Sequence, residues 1–485
     1  MQGRYLYWFS FILVAIIFVT VFSYTTSPIY STFGDSPDSH IFQIIGKYWA
    51  QGYIPYKDLW DLKGPYIFLL NALGYGMTGS RYGVWFIQII FLYATLITTF
   101  ITFRLYCREW SAFGWTILAL AGLSYTYQGG NLTEEYLLPF LALSFYYIIR
   151  WIYFYDKEDI VTHPPYNAVV YGVVLGLSLM SRLTNALTVC GAVLVISVVL
   201  LKHRKFKNLY YNALAFIAGF IFTTIPFVLY FHEHHALQDM WNGTFLFAIK
   251  YAEHSTNEIM SNGLHYFILS YFNSILLVLL TLWLVVKEKR LSTSSSLYIL
   301  SAGLPLSWFC QGNGYGHYGM IVYQLFPVIV LIIYKMKLRL IRFAVIVLVL
   351  TGLTSKTKFM FVMLNSWQDT ELVRYKTFLK NNTIIDYSSF VSYNCHPSLY
   401  LDLNIHPATP VFTIQDFGLN RIPQWRDFLL KSFKESHVKW ILIDIQEHKQ
   451  PGIQELLDER YLLIKHDEKR NLKLYKLKDH NKQNR

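Results

Sequence analysis

The sequence predicts a polytopic α-helical membrane protein with about 11 transmembrane helices and a small extracytoplasmic α/β domain at its C-terminal end. Three observations carry that prediction. Of 485 residues, 54% are hydrophobic and only 15% are charged, whereas soluble domains hold about a quarter charged residues. Long apolar runs alternate with short basic clusters. After residue 355 the composition turns polar and mixed in charge.

Residues 5–24 form the first apolar run, behind Arg4. No small-residue cleavage site follows, so the run reads as an uncleaved signal anchor. Runs at 41–50 and 66–77 are short for spanning, which takes about 20 residues, and are expected to lie on the membrane surface. Further spans are expected near 82–103, 111–127, 135–154, 167–181, 186–201, 210–231, 265–286, 296–310, 319–334 and 340–354.

Basic residues set the orientation, because cytoplasmic loops collect Lys and Arg. With the N-terminus inside, the cytoplasmic loops hold Arg104 and Arg108; Arg150 and Lys157; Lys202, Arg204, Lys205 and Lys207; Lys287, Lys289 and Arg290; Lys335, Lys337, Arg339 and Arg342. The opposite short loops hold only Arg182, and the loop 232–264 holds only Lys250. The net charge of +12 is therefore topological and does not call for nucleic acid. This divides the chain into a membrane domain, 1–355, whose first outer loop is 25–81, and an outer domain, 356–485.

In the outer domain, β-like runs stand at Thr383–Asp386, Pro410–Thr413 and Val438–Asp444, with helical patterns at Gln424–Glu435 and Gly452–Arg460. Tyr461–His466 and Asn471–Leu477 read as a closing hairpin. No phosphate loop or nucleophile elbow is present. The four cysteines are scattered, and His232-Glu233-His234-His235 lacks the spacing that puts ligands on one helix face, so no metal site is assigned.

The first outer loop concentrates Asp35, Asp38, Asp58, Asp61 and Lys63 in a chain poor in charge. Ionisable groups beside a membrane segment are costly unless solvated or paired, which makes them candidate site residues. Turn chemistry also collects Asp and Gly, and Asp35 reads as a turn residue.

Four features resemble one family. They are Asp38-Ser39-His40-Ile41-Phe42 with Gly52–Asp58 and Trp60–Pro65; Gly130-Asn131-Leu132-Thr133-Glu134-Glu135; Gly316-His317-Tyr318 followed by Pro327; and the outer α/β tail after an odd number of spans. Together they resemble the GT-C class of polyprenyl-phosphate-sugar-dependent membrane glycosyltransferases, which includes the protein O-mannosyltransferases and the aminoarabinose transferase of lipid A. The sequence departs from those enzymes at Ser39, where they commonly carry an Asp-Glu pair. The resemblance implies an inverting transfer from a polyprenyl-phosphate-linked sugar to an acceptor hydroxyl on lipopolysaccharide, another envelope glycan or protein. It also implies a bacterial inner membrane with the outer domain periplasmic. No cofactor is implied, and a divalent metal is left open.

That chemistry needs a carboxylate to take the acceptor proton and preorganised cations for the leaving phosphate. Asp38 occupies the family's catalytic position; otherwise it caps the helix that follows. Lys63 matches the lysine that approaches the donor phosphate, or else snorkels at the interface. Asp58 and Asp61 orient Lys63, bind sugar hydroxyls or cap the next helix. Glu134 and Glu135 orient donor or acceptor sugar, or form a capping pair with Thr133. Arg182 is a phosphate ligand or a structural partner of Glu134 or Asp38. His317 is a phosphate ligand or an ordinary satisfied polar residue. Rival readings are a lipid-linked-sugar transporter or flippase, an O-antigen-ligase-like enzyme and a non-catalytic scaffold. Transporters place polar breaks at the bilayer midplane, whereas here they stand at the outer ends of spans.

Overall fold

Apolar runs fold as helices at the positions their hydropathy marks. The computed structural model describes residues 2–30, 36–249, 264–310, 315–366, 370–380, 385–413, 430–431, 438–445 and 451–478. Asp35, the start of the run at 383–386 and all but residues 430–431 of the helical pattern at 424–435 lie outside these residues. Among the described residues, five helices are long and apolar enough to cross a bilayer: Arg81–Phe103, Glu135–Glu158, Leu183–Lys202, Phe206–Glu233 and Gly316–Lys335. Helices Gln2–Phe22, Glu109–Leu123, Pro165–Leu179, Thr293–Phe309 and Arg339–Ser366 occupy further expected positions.

Two expected spans differ from simple helices. The run 265–286 breaks at the fully buried Tyr271 into Leu264–Ser270 and Phe272–Glu288. The run 319–334 is a 3₁₀ helix over Gly316–Leu325 and turns α-helical only at Phe326. Pro327 stands in the first turn of that α-helix, where its missing N–H costs nothing. Gly319 lets this 3₁₀ helix approach the break near Tyr271 closely, since a Cβ there would lie 2.1 Å from the Ser270 carbonyl oxygen.

Packing divides the chain into two compact units. One comprises Met1–Ile29, Val84–Tyr230 and Thr256–Asn365; the other comprises Tyr30–Gly83, Phe231–Ser255 and Ser366–Arg485. The first loop thus packs in one unit with the C-terminal segment.

In the second unit, the two short runs of the first loop fold as helices Pro37–Trp49 and Pro65–Thr78. Each carries Pro in its first turn, which presets the helical φ and needs no N–H partner. They pack through Gly46, where an added Cβ would meet Asn71 Cβ at 2.3 Å and its carbonyl carbon at 2.7 Å. Gly46→Ala is therefore expected to force the helices apart and cost about 1–3 kcal/mol, read as a lowered midpoint in thermal unfolding.

The C-terminal part of this unit forms a four-stranded sheet of β1 (Phe390–Tyr393), β2 (Trp440–Asp444), β3 (Tyr461–Asp467) and β4 (Leu472–Leu477). Its order is β1-β2-β4-β3, with β1 parallel to β2 and the other pairs antiparallel. Helix Pro451–Arg460 precedes β3. The hairpin, β2 and this helix stand where the sequence predicts them. Pro410–Thr413 is not a strand; the Pro410 carbonyl instead accepts from Trp60 N at 2.8 Å. The first strand is Phe390–Tyr393, which sequence periodicity passes over.

Candidate functional site

The first loop folds into a clamp around Lys63. Tyr56 sits at φ 68°, the left-handed region that bulky residues rarely adopt. Its turn is closed by Tyr56 N donating to the Leu59 carbonyl at 2.7 Å and by Ile54 N donating to the Asp58 carboxylate at 2.7 Å. That turn aims the buried Tyr56 ring inward, so its hydroxyl donates to the Lys63 carbonyl at 2.6 Å. Thr244 donates in turn to the same hydroxyl at 3.1 Å. Asp61 accepts from Lys63 N at 3.1 Å. The lysine backbone is thus held on both sides.

The ammonium of Lys63 meets the Asp38 carboxylate at 3.5 Å, with side chains 24% and 39% exposed. Both partners therefore remain open to solutes. Burial pushes the Asp61 carboxyl above its ordinary range; Lys63 opposes that rise and Asp38 adds to it. Asp38 lies in the first turn of helix Pro37–Trp49, whose N-cap is Ser36, so it is not the capping residue. Its carboxylate still favours the positive end of that helix. The N-cap of helix Pro65–Thr78 is Gly64, so Asp58 and Asp61 do not cap it and instead brace their own loop.

The first unit holds a second cluster. Gly129, Gly130 and Asn131 adopt φ of 83°, 74° and 59°. Glycine is needed at the first two, because a Cβ would strike the Tyr24 ring at 2.6 Å or Ser23 Oγ at 2.2 Å. This turn delivers Glu135 and Glu134 to different neighbours. The Glu135 carboxylate accepts from Asn131 N at 2.7 Å, from Gln88 Nε2 at 3.1 Å to each oxygen, and from the Tyr127 hydroxyl. Those donors tie the turn to helix Arg81–Phe103.

Glu134, only 1% exposed, pairs with Arg182 at 3.1 Å. Its other oxygen is buried and has no hydrogen-bond partner among the described residues. Neither glutamate is bonded to Thr133 in a capping box; Glu134 itself stands at the N-cap of the short 3₁₀ turn Glu135–Leu137. The Arg182 guanidinium also lies over the Tyr318 ring, 3.0 Å from its centroid, and 5.5 Å from that of Phe309. His317 Nδ1 bonds Gln128 Oε1 at 2.9 Å, and its ring packs edge-on against Tyr318 at 4.5 Å. Arg182 and His317 are thereby gathered around one tyrosine, with Glu134 paired to the arginine.

No family profile matches the chain. No curated protein matches it by sequence. Among solved structures, ArnT from Cupriavidus metallidurans bound to undecaprenyl phosphate aligns at TM-score 0.60 and 12% identity, over 96% of this chain and 97% of that one. The apo form of the same protein aligns at TM-score 0.59 and 12% identity, over 98% of each chain. The fold is that of the GT-C class. It extends over nearly the full length, so the GT-C resemblance drawn from the four sequence features holds for the architecture of the membrane helices and the C-terminal α/β segment.

Within this GT-C fold, several residues escaped the sequence reading. Gln88 carries a signal that was available, an amide inside an otherwise apolar span. Tyr56 lay inside the quoted motif but was hidden among 38 tyrosines. Arg81, buried and donating to the Tyr30 carbonyl, marks the end of the same loop.

Proposed function

We propose that this chain is an inverting glycosyltransferase of the periplasmic face of a bacterial inner membrane. It moves a sugar from a polyprenyl-phosphate donor to an acceptor hydroxyl on lipopolysaccharide, another envelope glycan or protein. The observation that carries the reading is the Asp38–Lys63 pair at 3.5 Å, a base and a cation both open to solutes on the loop of a GT-C fold.

The chemistry balances without any further reactant. The acceptor oxygen attacks the anomeric carbon as the carbon–oxygen bond to phosphate breaks. The acceptor proton passes to Asp38 and the bonding pair leaves with the phosphate. Lys63 holds that developing charge, and Tyr56 and Asp61 keep it in place beforehand. The Lys63 ammonium holds the Asp38 carboxylate at 3.5 Å, in place before the acceptor arrives. When the donor phosphate claims Lys63, the carboxylate is released toward the acceptor. Arg182 and His317 are proposed as further phosphate ligands. Glu134, with one oxygen uncommitted among the described residues, suits a sugar hydroxyl better than Glu135, whose oxygens already accept from Gln88, Tyr127 and Asn131.

The similarity to a structure bound to undecaprenyl phosphate selects the test. Native mass spectrometry of the detergent-purified chain should show a co-purifying polyprenyl phosphate or its sugar adduct, depleted about tenfold in Lys63→Ala, the loss of one charge-assisted contact. Lipid retained in full by Lys63→Ala would remove the phosphate role from that lysine. No such lipid in the wild type would favour the scaffold reading.

A further inference from the structure

The C-terminal domain carries no chemistry of its own that the sequence can name, yet it touches the loop that bears Asp38. The contact strip runs from His396 to Pro410. His40, fully buried in helix Pro37–Trp49, meets the His396 ring edge-on at 5.0 Å between centroids and 73° between planes. Further along, Lys47 donates to the Asn404 side chain. The His406 ring packs at 4.6 Å from Tyr48 and 4.3 Å from Tyr53. The strip ends at Pro410, whose carbonyl accepts from Trp60 N at 2.8 Å.

His396 is itself fixed from behind. Its Nδ1 lies 2.7 Å from Ser398 Oγ, and its backbone N donates to the Tyr375 hydroxyl at 3.4 Å. That hydroxyl donates to Asp444 at 2.9 Å, at the end of β2, where Arg374 pairs with the same buried carboxylate. A continuous chain of contacts thus runs from the sheet through Asp444, Tyr375 and His396 to His40. Residues two apart on a helix face nearly opposite ways. Helix Pro37–Trp49 therefore turns His40 toward the C-terminal domain and Asp38 toward Lys63. On another side, Gly46 closes the same helix against Asn71.

We propose that His396 is a positioning residue for Asp38, acting through His40, and that the C-terminal domain thereby sets the rate of transfer. The inference rests on the glycosyltransferase reading for its kinetic half only. Misplacing a reacting group by about 1 Å costs on the order of 100-fold in rate, whereas donor binding through Lys63 does not depend on that placement.

The test uses the full chain in nanodiscs with two variants, His396→Ala and His396→Phe. Hydrogen exchange is measured over residues 36–49 and over β2 and β4, beside kcat and donor KM. Expected for His396→Ala is about tenfold faster exchange in 36–49, unchanged exchange in the sheet, and kcat lowered about 10- to 100-fold at constant KM. His396→Phe, which keeps an aromatic edge on His40, should restore most of both. Unchanged exchange in 36–49 for His396→Ala overturns the proposal. So does exchange raised equally in the sheet for both variants, which reports a merely structural role. If exchange responds as expected while the wild type transfers no sugar, the contact stands and the glycosyltransferase reading fails.

Discussion

Asp38→Asn is expected to remove glycosyl transfer almost entirely while the protein folds and inserts as before. General-base catalysis by one side chain contributes about 10²- to 10⁴-fold, and an amide cannot take the acceptor proton. Folding should hold because the side chain is 39% exposed and its ion pair with Lys63 spans 3.5 Å, a geometry worth at most about 1 kcal/mol. The measurement is turnover of a polyprenyl-phosphate sugar in nanodiscs, with thermal unfolding recorded beside it. Loss of transfer at an unchanged midpoint assigns the base. A variant that keeps a tenth or more of wild-type turnover moves the base elsewhere, and a scaffold would show no dependence on Asp38 at all.

The second large effect is on stability. Arg182→Ala strips the partner from Glu134, a carboxylate that is 1% exposed and already has one oxygen without a hydrogen bond among the described residues. Leaving a buried charge alone costs about 3–5 kcal/mol. The variant should unfold at a clearly lower temperature, and adding Glu134→Gln should recover most of the loss by removing the orphaned charge. If Arg182→Ala is neutral, the pair carries little and the arginine is held chiefly by the Tyr318 and Phe309 rings. The double variant also allows donor affinity to be measured in a folded chain lacking Arg182, which the single variant does not.

Much of this architecture was legible in the sequence, because a bilayer imposes a length and a hydropathy that local composition must meet. The helices fall where the apolar runs lie, and the hairpin Tyr461–Asp467 with Leu472–Leu477 follows from alternation. The candidate pair Asp38 and Lys63 was visible as a charge concentration and as a motif, but their contact was not, since no periodicity links two residues on separate short helices and turns. The same holds for Arg182 and Glu134, where the ion pair had stood only as an alternative. Strand β1, Phe-Val-Ser-Tyr, is too short and too polar at its centre to announce itself, and its whole burial depends on neighbours that arrive later in the chain. Pro410–Thr413 misled for the opposite reason: its carbonyl finds a partner in the first loop instead of a sheet. Nothing local told that the first loop and the last domain pack as one body.

That interleaving has a bearing on how the protein is made. The unit holding Asp38 is assembled from Tyr30–Gly83, Phe231–Ser255 and Ser366–Arg485, three stretches that leave the ribosome far apart in time. Contacts of such long sequence separation close slowly, because a large loop must be ordered before they form. The acidic loop therefore emerges first and waits, its His40 face uncovered, until the final segment has been made and has folded. Insertion and maturation are separate events in this chain, and the completed packing of helix Pro37–Trp49 is a product of the last one.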